Sequence, residues 1–364
     1  MEDTLEMLKC EMYAYSTSPH VSQLYTGFSL LARKGEIHLI QKLANYSHKG
    51  RVLMPNLEPH ELHGLFVVVN DGKVLFYDTR DSSELYDDAL EIADAYFKRS
   101  YAYSRIPEHH RSKIFPLGLN YELYVGGFDR YEFTRFPARK SLFYGFSKNV
   151  LKNIAVLTSL RFYPNAINMC SQPKPDQEPR VLFMVRAWDP DKDPPGLPSE
   201  QREEYVRINE TRARCIDLLS RQLGSRFCGG FAHTDYAITH FKNLLIRESG
   251  YSEKRNYVSL LRKHPIGVAT TGLHGSIGWK MGEYVAFSKA IVSEKLNYLV
   301  PCGFKENRNY LEFDTPEQCV SQTMELVENS HLRQQMMENN WDYYRRYLSP
   351  DKFVLRTLSI SVGS

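Results

Sequence analysis

His274-Gly275-Ser276-Ile277-Gly278-Trp279-Lys280-Met281-Gly282-Glu283 runs directly into Tyr284-Val285-Ala286-Phe287-Ser288-Lys289-Ala290-Ile291-Val292. The stretch reads as a glycine-rich turn, a short helix and a buried strand. Small residues let backbone N–H groups approach a ligand closely. A helix that starts there turns its N–H groups and its positive dipole end toward an anion. Glu283 falls one to two turns into the helix, within reach of a ribose diol beside such a phosphate. Pro265-Ile266-Gly267-Val268-Ala269 leads into the turn as a strand. The parts suit a nucleoside diphosphate.

Working outward, the same alternation recurs. Arg180 to Arg186 is a buried strand, and a Pro-rich loop follows over 189–198. A long helix over 203–223 carries Ile208, Ala213, Ile216 and Leu219 on one face. Phe227-Cys228-Gly229-Gly230-Phe231 is the next strand. Nearer the N-terminus, Glu11 to Tyr15 reads as a strand, Val21 to Ala32 as a helix and Ile37 to Ile40 as a strand. Leu65 to Val69 and Lys73 to Asp78 flank Asn70-Asp71-Gly72, a hairpin signature. A helix over 89–93 and strands over 95–98 and 113–117 follow. Residues 121–180 read as a linker with some helix near 147–160. In the second half, alternating strands and helices predict a parallel sheet with helices on both faces.

Bulk properties bound the function. A chain of 364 residues suits two domains. Hydrophobic residues are 42% and charged residues 24%, as in a soluble globular protein. A net charge of +3 gives no case for nucleic acid. No apolar run reaches the length of a membrane span, and residues 1–10 lack the apolar core of a signal peptide. The 6 cysteines are scattered without a Cys-x-x-Cys pair, which argues against a zinc site or a disulfide framework and for a reducing cytoplasm. No Asp-x-Asp metal motif stands in a fitting context, so neither a metal nor another cofactor is implied.

The stretch from Gly278 through Glu283 to Val292 resembles the donor-site element of nucleotide-sugar glycosyltransferases of the GT-B fold, of the bacterial group 1 kind. Tyr310-Leu311-Glu312-Phe313-Asp314-Thr315-Pro316-Glu317 is similar to their loop before a Pro-Glu-capped helix, and Trp341 to Tyr347 to their closing helix. The similarity covers about residues 180–350. Over 1–150 it rests on element order. The resemblance implies an α/β protein of two Rossmann-like domains facing across a cleft, with the C-terminal helix returning to the first. Residues 1–150, joined by about 345–364, would bind an acceptor; residues 175–344 would bind the nucleotide sugar. Where many retaining members carry a second acid, this chain has Gly275, which favours inversion.

Named residues follow from these readings. The donor-binding set is Arg186, His274, Gly275, Ser276, Gly278, Lys280 and Glu283. Arg186 closes a strand where a guanidinium can neutralise a leaving diphosphate without a metal; the competing reading is an ion pair with Asp189 or Asp191. Lys289 reads as a solvated turn. His20, in the first strand–helix turn, is the candidate base that takes a proton from an acceptor hydroxyl, and Asp78, closing a strand, is the second. His233 and Asp235 read as turn or cap residues. Lys98, Arg99, Arg105, His109, His110, Arg111 and Lys113, interleaved with Tyr101 and Tyr103, could meet an anionic acceptor or a membrane surface; a solvated face is the simpler reading. The expected activity is transfer of a sugar from a nucleotide sugar to a hydroxyl of a saccharide, lipid-linked or protein acceptor, in building cell-surface polysaccharide or glycoconjugate. A sugar-nucleotide epimerase of the same fold and a non-catalytic sugar-nucleotide binder are the alternatives.

Overall fold

A computed structural model describes residues 7–42, 47–48, 51–53, 61–125, 164–174, 176–191 and 198–362. The helix expected near 147–160 lies outside them. The chain forms two compact units. The first comprises residues 1–168, 298–302 and 345–364; the second comprises 169–297 and 303–344.

In the first unit, β1 (Leu8–Tyr13) leads through one turn of 3-10 helix into α1 (Ser22–Arg33), and β2 (Ile37–Lys42) returns parallel to β1. A two-residue pair, β3 (Ser47–His48) and β4 (Arg51–Val52), stands apart. β5 (Gly64–Val69) and β6 (Lys73–Asp78) form the antiparallel hairpin read from Asn70-Asp71-Gly72. Asn70 and Asp71 have φ of 50° and 55°, the left-handed pair that such a turn requires. After α2 (Asp87–Ile92) come β7 (Ala95–Lys98) and β8 (Ile114–Pro116). The six strands lie in the order β2-β1-β5-β6-β7-β8, with β5 antiparallel to both neighbours. The carboxyl ends of β1, β6 and β7 therefore share one rim with the start of β5. Side chains alternate across the sheet: Met12, Leu65, Val67, Leu75 and Phe97 pack on α1, while Phe66, Val68, Phe76 and Tyr96 pack with Leu90 of α2.

The second unit begins with β9 (Val181–Val185), then α3 (Ser199–Leu223), β10 (Phe227–Phe231), α4 (Asp235–His240), α5 (Lys254–Lys263) and β11 (Ile266–Ala269). The opening stretch forms a 3-10 turn over Leu273–Gly275, α6 (Trp279–Ala286) and β12 (Ala290–Glu294). β13 (Leu311–Phe313), α7 (Pro316–Glu328) and α8 (Ser330–Tyr343) close it. Five strands, all parallel, run in the order β10-β9-β11-β12-β13. Val181, Phe183, Val268 and Val292 face Cys215, Ile216 and Leu219 of α3. On the opposite face a Cβ at Gly267 would fall 2.8 Å from the Tyr284 ring, so the absent side chain lets α6 lie close on β11. Thr315 and Gln318 form a reciprocal cap on α7 beside Pro316 at its start.

α9 (Pro350–Val362) returns to the first unit and packs on α1. A Cβ at Gly27 would lie 2.2 Å from the Pro350 carbonyl oxygen, so only glycine permits that approach. Lys34 pairs with Asp351, the Gln23 amide donates to the Leu348 carbonyl at 2.9 Å, and Tyr77 OH meets Thr357 Oγ1 at 2.9 Å.

Candidate functional site

In the order β10-β9-β11-β12-β13 the direction of winding reverses between β9 and β11. Ligands of open parallel sheets bind outside the carboxyl ends of the strands at such a point. Arg186-Ala187-Trp188 leaves β9 there, and Thr270-Thr271-Gly272 leaves β11. Arg186 is exposed, with its guanidinium 4.9 Å from the centre of the Trp188 ring. Asn209 of α3 clamps the Trp188 backbone, accepting from its N–H at 2.9 Å and donating to its carbonyl at 2.7 Å. Asp191, one of the two partners considered for Arg186, is paired with Arg202.

The glycine-rich turn is held by its own amides. His274 and Gly275 have φ of 59° and 64°. The Gly272 N–H donates to the Ser276 carbonyl at 2.8 Å, Ser276 N–H to Leu273 at 3.0 Å and His274 N–H to Glu204 at 2.8 Å. Next along the chain is the start of α6. Its first residues follow Gly278, which supplies no side-chain cap and whose Cβ would meet nothing within 4 Å. Thr270, Thr271, Gly278, Lys280 and Met281 line a small recess there.

Lys280 and Glu283 come together on α6, with two residues of α5 that were not singled out in the sequence. Glu283 is buried; its carboxylate accepts from Lys254 Nζ at 2.8 Å and from Tyr257 OH at 3.0 Å. Burial, reinforced by the Glu283 charge, pushes the Tyr257 phenol well above its ordinary range, so it stays protonated and donates. Lys280 Nζ lies 4.6 Å from the Tyr257 ring centre. Burial brings Lys280 down to about 8, against the opposing pull of Glu283. Arg212 of α3 also belongs here: it donates to the Arg186 carbonyl, Thr270 Oγ1 and the Thr271 carbonyl, tying the ends of β9 and β11 together. Its signal was available. Tyr205, Asn209, Arg212, Ile216 and Leu219 form the buried stripe of α3, and two polar residues on such a stripe need polar partners.

Lys289 is a correction. It is not a solvated turn but 2% exposed, because the chain enters β12 beneath α8, where Asn340 donates to the Lys289 carbonyl at 2.7 Å. Burial lowers its ammonium to about 7. His233 Nε2 lies 2.8 Å from the Ile246 carbonyl, and Asp235 starts α4 after its cap, Thr234.

In the first unit, His20 lies on the shared rim. Ser18 Oγ accepts from its N–H at 3.3 Å, and its ring meets His63 edge-on with centroids 5.0 Å apart. His63, which the sequence reading passed over, sits just before β5 with Nδ1 2.6 Å from Ser18 Oγ. Burial, aided by the Arg99 charge, lowers His20 to about 4 against the pull of Asp81. The imidazole is thus neutral at pH 7, the form that accepts a proton. Asp78 is fully enclosed and surrounded by donors: Arg80 through backbone and guanidinium, Tyr96 OH, and Lys98 Nζ at 2.9 Å. Burial would raise it, but Lys98 and Arg80 hold it below the usual carboxylate range. That geometry makes Asp78 the anchor of a buried network. The basic cluster divides: Lys98 and Arg99 are inside, Lys113 caps α2 through the Leu90 carbonyl, and Arg111 stacks on exposed Tyr103 at 4.6 Å.

No group of residues suited to a metal ion occurs among the described residues, and none of their helices is long and apolar enough to cross a membrane. No family model and no curated protein matches the chain. Solved structures do. The C-terminal domain of a glycosyl transferase group 1 family protein from Francisella tularensis matches over 49% of this chain and 95% of its own, at 14% identity and a TM-score of 0.32. A pneumococcal O-GlcNAc transferase solved with UDP and GlcNAc matches over 80% of this chain and 57% of its own, at 9% identity and a TM-score of 0.36. WaaG, a glycosyltransferase involved in lipopolysaccharide biosynthesis, matches over 75% of each chain, at 11% identity and a TM-score of 0.34. The chain thus spans little more than half of the pneumococcal enzyme. Likeness at this level transfers no residue role.

Proposed function

We propose that the chain is a glycosyltransferase that moves a sugar from a nucleotide sugar to an acceptor hydroxyl. The observation that carries this reading is the switch point of the second unit. There the uncapped helix start behind Gly278 and Lys280 lines a recess with Thr270 and Thr271 past β11, Glu283 of the same helix is held by Lys254 and Tyr257, and Arg186 leaves the end of neighbouring β9. In this reading the helix start and the cations take the diphosphate, and Glu283 takes the ribose. The acceptor belongs to the first unit, where neutral His20 removes the hydroxyl proton as oxygen attacks the anomeric carbon. The bond from that carbon to the diphosphate breaks, and the chain's own cations neutralise the leaving group. A cytoplasmic site and a polysaccharide or glycoconjugate product remain part of the proposal.

The test is incubation of the full chain with a panel of sugar nucleotides, with and without saccharide acceptors, followed by mass spectrometry. Acceptor-dependent release of nucleoside diphosphate with a new glycoside is expected. Isomerised donor formed without acceptor would instead identify an epimerase, and binding without turnover a non-catalytic binder.

A further inference from the structure

Arg212 is an anomaly in the second unit. It is 7% exposed, yet no ion pair involves it among the described residues. Its three acceptors are neutral oxygens: Arg186 O at 2.8 Å, Thr271 O at 3.0 Å and Thr270 Oγ1 at 3.0 Å. These use three of the five N–H donors of a guanidinium. The carboxylate whose charge it feels, Glu294, is engaged by Thr271, accepting from its N–H at 2.6 Å and its hydroxyl at 2.8 Å. Burying a cation without a direct ion pair is costly. Two of the oxygens that hold it, on Thr270 and Thr271, belong to residues lining the recess beside Gly278, where Lys280 also lies. Lys280 itself feels the repulsion of Arg212 and Lys254.

We infer that Arg212 is the fixed cation of the donor's diphosphate, keeping N–H donors and an unpaired charge for a phosphate oxygen in the recess between the end of β11 and the start of α6. This rests on the donor reading above and sharpens it. Arg186 is exposed, whereas Arg212 is buried and preorganised by three bonds, so its charge is delivered without ordering a side chain. It also explains why the two strand ends at the switch point are tied by an arginine rather than by a neutral amide. An anion in the recess would relieve the mutual repulsion of Arg212 and Lys280.

The test compares nucleoside diphosphate with nucleoside. Calorimetry on the full chain measures UDP, GDP and ADP against uridine, guanosine and adenosine, for wild type and Arg212→Gln. The glutamine can still donate to a strand-end carbonyl but carries no charge. The expected result is a loss of about tenfold or more in the preference for diphosphate over nucleoside, with nucleoside affinity unchanged. Equal loss for both ligands, or no loss, would show Arg212 to be a staple only and overturn the inference while leaving the donor reading intact. Failure of wild type to bind any diphosphate would remove the donor reading and this inference with it. If Arg212→Gln lacks a cooperative melting transition, Arg212→Lys decides: it keeps a cation without the three-way fork. Its diphosphate preference should fall about threefold, and an unchanged preference would overturn the inference.

Discussion

The two units place buried cations at the same kind of rim and treat them in opposite ways. In the first, Lys98 and Arg80 share Asp78 and Arg99 meets Asp81, so each cation has a carboxylate partner inside the protein. In the second, Arg212 is held by neutral oxygens, and Glu283 is shared by Lys254 and Tyr257. Cations that each meet a carboxylate fix geometry; one held only by neutral oxygens keeps more of its pull on an anion. The contrast supports the proposal that the second unit takes the diphosphate, with the first unit's neutral His20 proposed for proton transfer.

The largest expected effect probes that division from the first unit. His20→Ala should lower turnover by about a hundred- to ten-thousand-fold, the usual worth of a positioned base. Donor affinity, read by calorimetry, should be unchanged, because the proposed donor residues lie in the other unit. Near-normal turnover would remove His20 from the base role, and so would a product whose anomeric configuration is retained by NMR. The acid limb of the turnover profile should fall near pH 4 rather than near 6.5, since burial favours the neutral ring.

Next comes the second unit's carboxylate. Glu283→Ala should cost about 1.5–3 kcal/mol of nucleotide affinity if the carboxylate holds the ribose. It also strips Lys254 and Tyr257 of their acceptor, so the melting temperature should fall as well. The discriminating readout is the ligand itself: a 2′,3′-dideoxynucleoside diphosphate should bind wild type and variant alike. A loss in the variant as large as for the ribonucleotide would make Glu283 purely structural.

Much of the fold was legible. The hairpin was readable because Asn70-Asp71-Gly72 supplies the left-handed positions between two apolar strands. The parallel sheet of the second unit followed from strand–helix alternation, and the α7 start from Thr315-Pro316-Glu317. The sites were legible only in part, because their bonds cross long separations. His63 reaches Ser18 across 45 positions, and Lys254 reaches Glu283 across 29. No local pattern announces such partners. Lys289 misled for another reason: a lysine after Phe287-Ser288 reads as a turn, and only the packing of α8 over the entry to β12 buries it.

That lysine gives a smaller expected effect and tests whether every buried cation of the second unit serves a ligand. Its folded value of about 7 lies below the ordinary 10.5, so the unfolded chain binds the proton more tightly. Its contribution to stability is therefore greatest at high pH and is lost as pH falls from about 10.5 to about 7. Lys289→Met should raise the melting temperature at pH 7 and flatten its rise between pH 7 and 9, with nucleotide affinity unchanged. A lowered melting temperature would mean that the ammonium is stabilised where it lies.

The central claim is that the switch point of the second unit binds a nucleoside diphosphate. It is tested most directly by calorimetric titration of the full wild-type chain with UDP, GDP and ADP, each beside its nucleoside. At least one diphosphate should bind about tenfold or more tightly than its nucleoside, a difference of about 1.4 kcal/mol or more. If no diphosphate binds more tightly than its nucleoside, the account is contradicted.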